Sequence, residues 1–287
     1  MTVPQTVGVI GAGIMGAGIA QTCVTAGIPV ALIDIDDKRV TGALQSVAGA
    51  LDKLVQKAKL SAPERDAAIA RLRGTTAYAE LRGCEFIIEA ATESEALKVQ
   101  LLRKIDEVID ARTVVATNTS SISIAKLAAV MKRPAAFVGL HFFNPVPVMG
   151  LVEVVTCRHT ASATVDAAVA LAKRLGKTPV RVNDSPGFVV NRLLCPMLNE
   201  AVFAYGESVA SARDIDEAMK LGCNHPIGPL ALCDLIGLDV VLAIMEVLHR
   251  DFDDAKYRPA PLLKEMVAAG HLGRKTGRGF FEYGARN

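Results

Sequence analysis

The sequence predicts an α/β protein, with a doubly wound sheet domain over residues 1–185 and an all-helical domain over 186–287. Three observations carry this expectation. Short apolar runs alternate with helix-period stretches through the first two-thirds of the chain, a glycine-rich turn follows the first run directly, and strand signals stop after NDSPGFVVNRLL (183–194). The alternation is that of βαβ units, and a Pro-Gly junction before a helical tail marks a domain boundary near residue 186.

The elements follow in order. TVGVI (6–10) reads as the first strand, GAGIMG (11–16) as a turn, and the stretch to Ala26 as a helix. PVALID (29–34) is the second strand, followed by a polar helical region to about Arg73. FIIEAA (86–91), TVVATN (113–118) and AFVGLHF (136–142) continue the strands, with helical patterns between them. LVEVV (151–155) and PVRV (179–182) look like two added strands flanking a helix from about Ala163 to Leu175. Helical periodicity then holds from Val189 to Leu248, interrupted by GCNHPIGP (222–229). The last stretch, LGRKTGRGFFEY (272–283), is basic and Gly-rich yet carries the aromatics of an ordered segment.

Composition narrows the function. The 287 residues are 51% hydrophobic and 22% charged, with a net charge of +2, which gives no reason to expect nucleic acid. No apolar run reaches the roughly 18 residues that a membrane span needs. The six cysteines (23, 84, 157, 195, 223, 233) lack CxxC pairs and zinc spacing, so they read as buried thiols of a reducing, cytoplasmic protein without a metal.

The chemistry starts at GAGIMG, which lies between a strand and a helix as a dinucleotide cradle requires. Gly11 permits the tight turn, Gly13 lets the backbone approach a pyrophosphate, and Gly16 lets helix pack on strand, with Ile14 and Met15 between them. Asp34 closes the second strand, where a carboxylate accepts from ribose hydroxyls and repels a 2′-phosphate. That favours NAD over NADP despite Lys38 and Arg39 a turn further on.

A dinucleotide site calls for a proton-handling group. His141 stands at the carboxyl end of AFVGLHF, the level at which doubly wound sheets bind ligands. Glu153 follows twelve residues later, and NPVPVMG between them has Pro and Gly enough to reverse the chain. A carboxylate that reaches the ring would orient it and stabilise the imidazolium. A core histidine and a solvent-facing strand-edge carboxylate are the alternatives. Ser120 or Ser121 of TNTSSISI can cap the next helix or hold a substrate oxygen; Asn191 of NRLL can cap its helix or face a cleft.

Taken together, VGVIGAGIMGAGIAQ, IIEAATE, NTSSISI, HFFNPVPVMGLVEVV, SPGFVVNRLLCPMLNEA, MKLGCNHPIGPLALCDLIGLD and KYRPAPLL…GRKTGRGFFEY make the whole chain resemble the short-chain L-3-hydroxyacyl-CoA dehydrogenases, especially the bacterial 3-hydroxybutyryl-CoA dehydrogenases. The resemblance implies NAD-dependent oxidation of a short (S)-3-hydroxyacyl-CoA and the reverse reduction, with His141, Glu153, Ser120 and Asn191 at the chemistry. It implies cofactor contacts at Asp34, Glu93, Lys98, Asn118, Ser120, Asn144 and Lys275. It also implies a CoA nucleotide against the helix bearing Lys53 and Lys57, off the apolar stripe Val47, Leu51, Leu54 and Ala58, and a homodimer through the helical domain. Thr117 stands where Ser is expected, and His271 where an apolar or aromatic residue is. His225 reads as structural. A dehydrogenase of a free hydroxy acid or sugar acid on the same scaffold, or a silent dinucleotide-binding protein, are the competing readings.

Overall fold

A computed structural model describes residues 3–284. The chain divides into two compact units, the second beginning at Ser185. In the first, β1 (Val7–Ile10), α1 (Ile14–Thr25), β2 (Val30–Ile33), α2 (Asp37–Gln56), α3 (Ala62–Ala70) and β3 (Leu72–Thr75) form the opening half. Then come β4 (Phe86–Glu89), α4 (Glu95–Val108), β5 (Val114–Thr117), α5 (Ile124–Ala128) and β6 (Phe137–Phe142), and last β7 (Leu151–Thr156), α6 (Ser162–Arg174) and β8 (Thr178–Asn183).

The strands make one sheet in the order β3-β2-β1-β4-β5-β6-β7-β8. All neighbours are parallel except β6 and β7. This is a Rossmann-like doubly wound sheet whose winding reverses between β1 and β4. β1, β4 and β6 are buried throughout, because helices cover both faces of a parallel sheet and leave no strand side for water. Val9, Leu32, Ile88, Val138, Leu140 and Val154 of the strands share the main core with Ile19, Ala20 and Val24 of α1.

Three local features depart from the expectation. The polar helical region ends before Arg73, which lies inside β3. That strand is a four-residue edge carrying Arg and Gly, so it lacks an apolar signature. Gly74 is needed there, since a Cβ would come 2.4 Å from Val40 Cγ1. The same region is also two helices. α2 stops at Gln56, Ala58 takes a positive φ of 53°, and Ser61 opens α3 with a reciprocal capping box to Glu64. Ala58 is therefore exposed beyond the helix rather than on its apolar stripe, and Lys57 is the C-cap. Of the cysteines, Cys223 is exposed and Cys157 half-buried, because the helix carrying Cys223 ends there at the surface; the other four are buried.

The second unit is helical: α7 (Val190–Gly206), α8 (Ala212–Cys223), α9 (Pro229–Ile236), α10 (Leu238–Phe252) and α11 (Pro261–Ala268). Cys195, Leu198, Val202, Leu230, Leu238, Val241, Met245 and Leu248 form its own core. Its Gly-rich end folds back through bridges that Arg278 makes with Gly273 and Glu282. Asp234 of α9 grips this segment, accepting from Phe280 N, Phe281 N and Tyr283 Oη at 3.0 Å each. Asp234→Ala would strand three donors at a buried site and is expected to cost on the order of 3 kcal/mol, read as a lower melting temperature. An unchanged melting temperature would show that water replaces the carboxylate at no cost. No helix among the described residues is long and apolar enough to cross a membrane.

Candidate active site

The parallel strands of the first unit bring their carboxyl ends to one edge. Gly11 follows β1, Asp34 follows β2, Glu89 ends β4, Asn118 follows β5, and His141 lies near the end of β6. Each glycine of the loop has its own reason to be there. Gly11 has φ +102°, and a Cβ on it would lie 2.6 Å from Ala90 O; one on Gly16 would lie 1.7 Å from Gly11 O. Gly13 differs: it is the N-cap of α1, and a Cβ there would meet nothing within 4 Å. No side chain caps α1, so its first N–H groups are left without a side-chain acceptor beside Gly13. Free N–H groups at a helix start, reached over a side-chain-free cradle, suit a pyrophosphate.

Asp34 braces the cradle, with Oδ2 accepting from Ala12 N at 2.6 Å and Oδ1 from Ile35 N at 2.7 Å. Asp36 caps α2 and pairs with Arg39 Nε at 3.3 Å. Arg39 is thus partly neutralised, and the end of β2 presents mainly carboxylate charge, with Asp37 adjacent.

Beneath the edge lies a charge network that only Lys98 and Glu93 announced. Lys98 Nζ, fully buried, donates to both Glu89 oxygens at 2.8 and 2.9 Å and to Ala91 O at 3.1 Å. Glu89 also accepts from Thr117 Oγ1 at 2.6 Å and Ala91 N at 2.7 Å. Thr117, where Ser is expected, therefore keeps a hydroxyl where one is used. In the sequence Glu89 carries no signal of its own, because a carboxylate ending an apolar strand looks solvent-facing. The one available signal was a Lys nine residues on.

Lys98 also approaches Glu93 at 3.6 Å. Glu93 Oε1 accepts from Thr119 Oγ1, from Ser120 N and Oγ at 2.9 and 3.3 Å, and from Ser121 N and Oγ at 3.2 and 3.1 Å. The helix cap that could have explained Ser120 belongs to Ser123 instead, with Asp184 accepting from Ser123 Oγ, Ile124 N and Ala125 N. Ser120 is thus held on the rim and not consumed by a cap.

Burial pushes the Glu93 carboxyl up, but Lys98 and the donors Thr119, Ser120 and Ser121 outweigh it and leave its pKa below 4.5. A carboxylate depressed in the folded state stabilises above its unfolded value and loses that contribution as pH falls through the folded one. Glu93→Gln is therefore expected to lose less melting temperature than wild type on acidification below pH 4.5. Parallel acid curves for the two proteins would contradict it.

His141 and Glu153 are direct partners in the antiparallel β6–β7 register. His141 Nδ1 lies 2.7 Å from Glu153 Oε2, and both residues are buried, at 6% and 1% exposure. Glu153 is thus no solvent-facing edge carboxylate. Phe143 packs on the imidazole at 4.4 Å between centroids. Asn118 Oδ1 accepts from Phe142 N at 2.9 Å, tying the β5 loop to the end of β6. Asn144 is exposed just beyond, and Lys53 and Lys57 are exposed on α2 and at its C-cap.

In the second unit, Asn191 lies in the first turn of α7, whose N-cap is Val189, so it does not cap the helix. Lys275 Nζ is held by both Asp239 oxygens at 2.5 and 2.6 Å. His225 is half-buried in the turn before α9, and His271 follows α11.

Comparison with known proteins adds the decisive observation. The family model for the 3-hydroxyacyl-CoA dehydrogenase NAD binding domain matches residues 6–185, and that for the C-terminal domain matches 187–283. The chain belongs to the 3-hydroxyacyl-CoA dehydrogenase family. A 3-hydroxybutyryl-CoA dehydrogenase from Clostridioides difficile is 49% identical over 279 residues, covering 96% of this chain and 98% of that one. A probable 3-hydroxybutyryl-CoA dehydrogenase from Bacillus subtilis is 46% identical, covering 96% of each. The crystal structure of an (S)-3-hydroxybutyryl-CoA dehydrogenase from Ralstonia eutropha superposes with a TM-score of 0.96 at 55% identity, covering 98% of this chain and 100% of that one. The first unit is the NAD-binding domain of a 3-hydroxyacyl-CoA dehydrogenase, and the side-chain-free space at Gly13 fits that cofactor.

Proposed function

We propose that the protein interconverts a short-chain (S)-3-hydroxyacyl-CoA and its 3-ketoacyl-CoA, with His141 as the proton-handling residue. The observation that carries this reading is the buried His141–Glu153 contact of 2.7 Å at the carboxyl edge of a sheet built for NAD. The names of the bacterial relatives support the substrate.

NAD supplies the hydride acceptor for C3 of the substrate. With Nδ1 turned to Glu153, His141 uses Nε2 to take the 3-hydroxyl proton during oxidation and to return it to the 3-keto oxygen during reduction. Glu153 fixes the ring and stabilises the imidazolium without taking the proton itself. Ser120, on the rim of the same edge, turns its one hydroxyl proton from Glu93, which it meets at 3.3 Å, to the reacting oxygen, where charge develops. Asp34 accepts from the adenosine ribose, and Glu93, Lys98, Asn118 and Asn144 shape or contact the cofactor from the β4, β5 and β6 ends. Lys53 and Lys57 offer ammonium groups to the CoA phosphates. The substrate contact of Asn191 and the cofactor contact of Lys275, both from the second unit, follow from the resemblance. So does a homodimer through that unit, whereas a cytoplasmic setting rests on the cysteine pattern alone.

The test is NADH consumption with acetoacetyl-CoA beside free acetoacetate, repeated with NADPH. Turnover is expected with NADH and the thioester alone, with a higher KM for the thioester when Lys53 and Lys57 are both changed to Ala. Comparable turnover of free acetoacetate would move the substrate class to free acids. NADH binding without any turnover would make this a silent scaffold.

A further inference from the structure

Lys177, between α6 and β8, is 8% exposed, and no carboxylate among the described residues pairs with it. Its Nζ donates to two backbone carbonyls, Val146 O at 2.6 Å and Met149 O at 2.8 Å. Burial lowers its pKa, as expected of an ammonium held without a counter-ion. Such burial is unfavourable, and an apolar side chain of similar length would fill the space with less desolvation. What the ammonium provides is a pair of donors for an irregular segment.

That segment is the connector 143–150, which joins His141 on β6 to Glu153 on β7 and begins with Phe143 and Asn144. It closes on itself through Val148 N and Met149 N, both donating to Pro145 O. Its outer side is bare, with Val148 75% exposed. Its inner side is wedged between two elements. Lys177 holds two of its carbonyls, while the buried Val146 side chain lies against α1 at Gly18. A Cβ at Gly18 would come 3.0 Å from Val146 Cβ. Gly18 lies two residues past Gly16, the last glycine of the phosphate cradle.

We propose that Lys177 is a positioning residue for the cofactor side of the site: its buried ammonium fixes the connector against α1 and so sets Asn144 relative to the glycine-rich loop. The proposal rests on the NAD reading given above. It assigns Lys177 no contact with substrate or cofactor. The donors matter, so a side chain of equal length that cannot donate fails, and a neutral donor recovers part of the function.

The test compares wild type with Lys177→Met and Lys177→Gln by equilibrium NADH binding, steady-state kinetics and melting temperature. Lys177→Met is expected to raise the NADH Kd about tenfold, as loss of a supporting partner behind a ligand contact does, and to leave kcat at saturating NADH within about twofold. Lys177→Gln is expected to fall between Met and wild type. Gly18→Ala, whose Cβ would press on Val146, is expected to weaken NADH binding as well, and it carries the test if the Met variant does not fold. An unchanged Kd beside a lowered melting temperature would reduce Lys177 to a purely structural group and overturn the proposal. Absence of NADH binding in wild type would instead overturn the cofactor reading on which it rests.

Discussion

His141→Ala will lower kcat for acetoacetyl-CoA reduction by about 10²–10⁴-fold while leaving the NADH Kd unchanged. The magnitude is that of losing a positioned general acid–base, the role proposed for His141, and the geometry is consistent with that role. The imidazole sits in β6 with its Nδ1 held 2.7 Å from a buried carboxylate, so ring orientation is set before substrate arrives. Cofactor binding is expected to be spared because the proposed cradle is the β1–α1 turn braced by Asp34, not His141. Glu153→Gln keeps the volume but removes the charge proposed to stabilise the imidazolium. Its expected effect is smaller, about 10²-fold in kcat, again with NADH binding retained. If instead both variants lost NADH binding in proportion to activity, the pair would be a structural element of the cofactor domain and not its chemistry.

The second large effect is expected at Gly13. A Gly13→Val side chain would enter open space, since nothing lies within 4 Å of its Cβ, and the backbone there is extended at φ −73°. The fold should therefore tolerate it, with a melting temperature close to wild type. The same side chain would occupy the approach to the α1 N–H groups, so the NADH Kd should rise by about 10²-fold or more, the loss of a few kcal/mol of anion contact. Gly16→Val is the contrasting control, because its Cβ would lie 1.7 Å from Gly11 O and must displace the turn. That variant is expected to lose stability along with binding. Tight NADH binding by Gly13→Val would place the pyrophosphate elsewhere.

The glycine-rich turn and the His141–Glu153 pairing were legible in the sequence for a shared reason: their signals are local. The glycines, the strand before them and Asp34 fall within one βαβ unit at fixed spacing. His141 and Glu153 are twelve residues apart across a reversing segment, so an antiparallel pairing is enough to bring them opposite each other. The less legible parts depend on long-range packing. β3 is a short edge strand whose Arg and Gly carry no apolar pattern, and it forms because β2 offers a parallel edge. The Glu89–Lys98 pair needs β4 and α4 docked before either residue departs from a surface reading. Lys177 reads as an ordinary charge in a Gly-containing turn until Val146 and Met149 bring their carbonyls to it. The choice of Ser123 over Ser120 as helix cap was local in sequence yet ambiguous, because three serines precede the same short helix.

The most direct measurement is a single turnover. Enzyme saturated with NADH is mixed with excess acetoacetyl-CoA, and nicotinamide absorbance is followed for wild type and His141→Ala at equal NADH occupancy. The account predicts rapid loss of one NADH per site in wild type and a step slower by about 10² or more in the variant. Equal rates in the two proteins would show that the proton passes through another group, and would remove His141 from the chemistry.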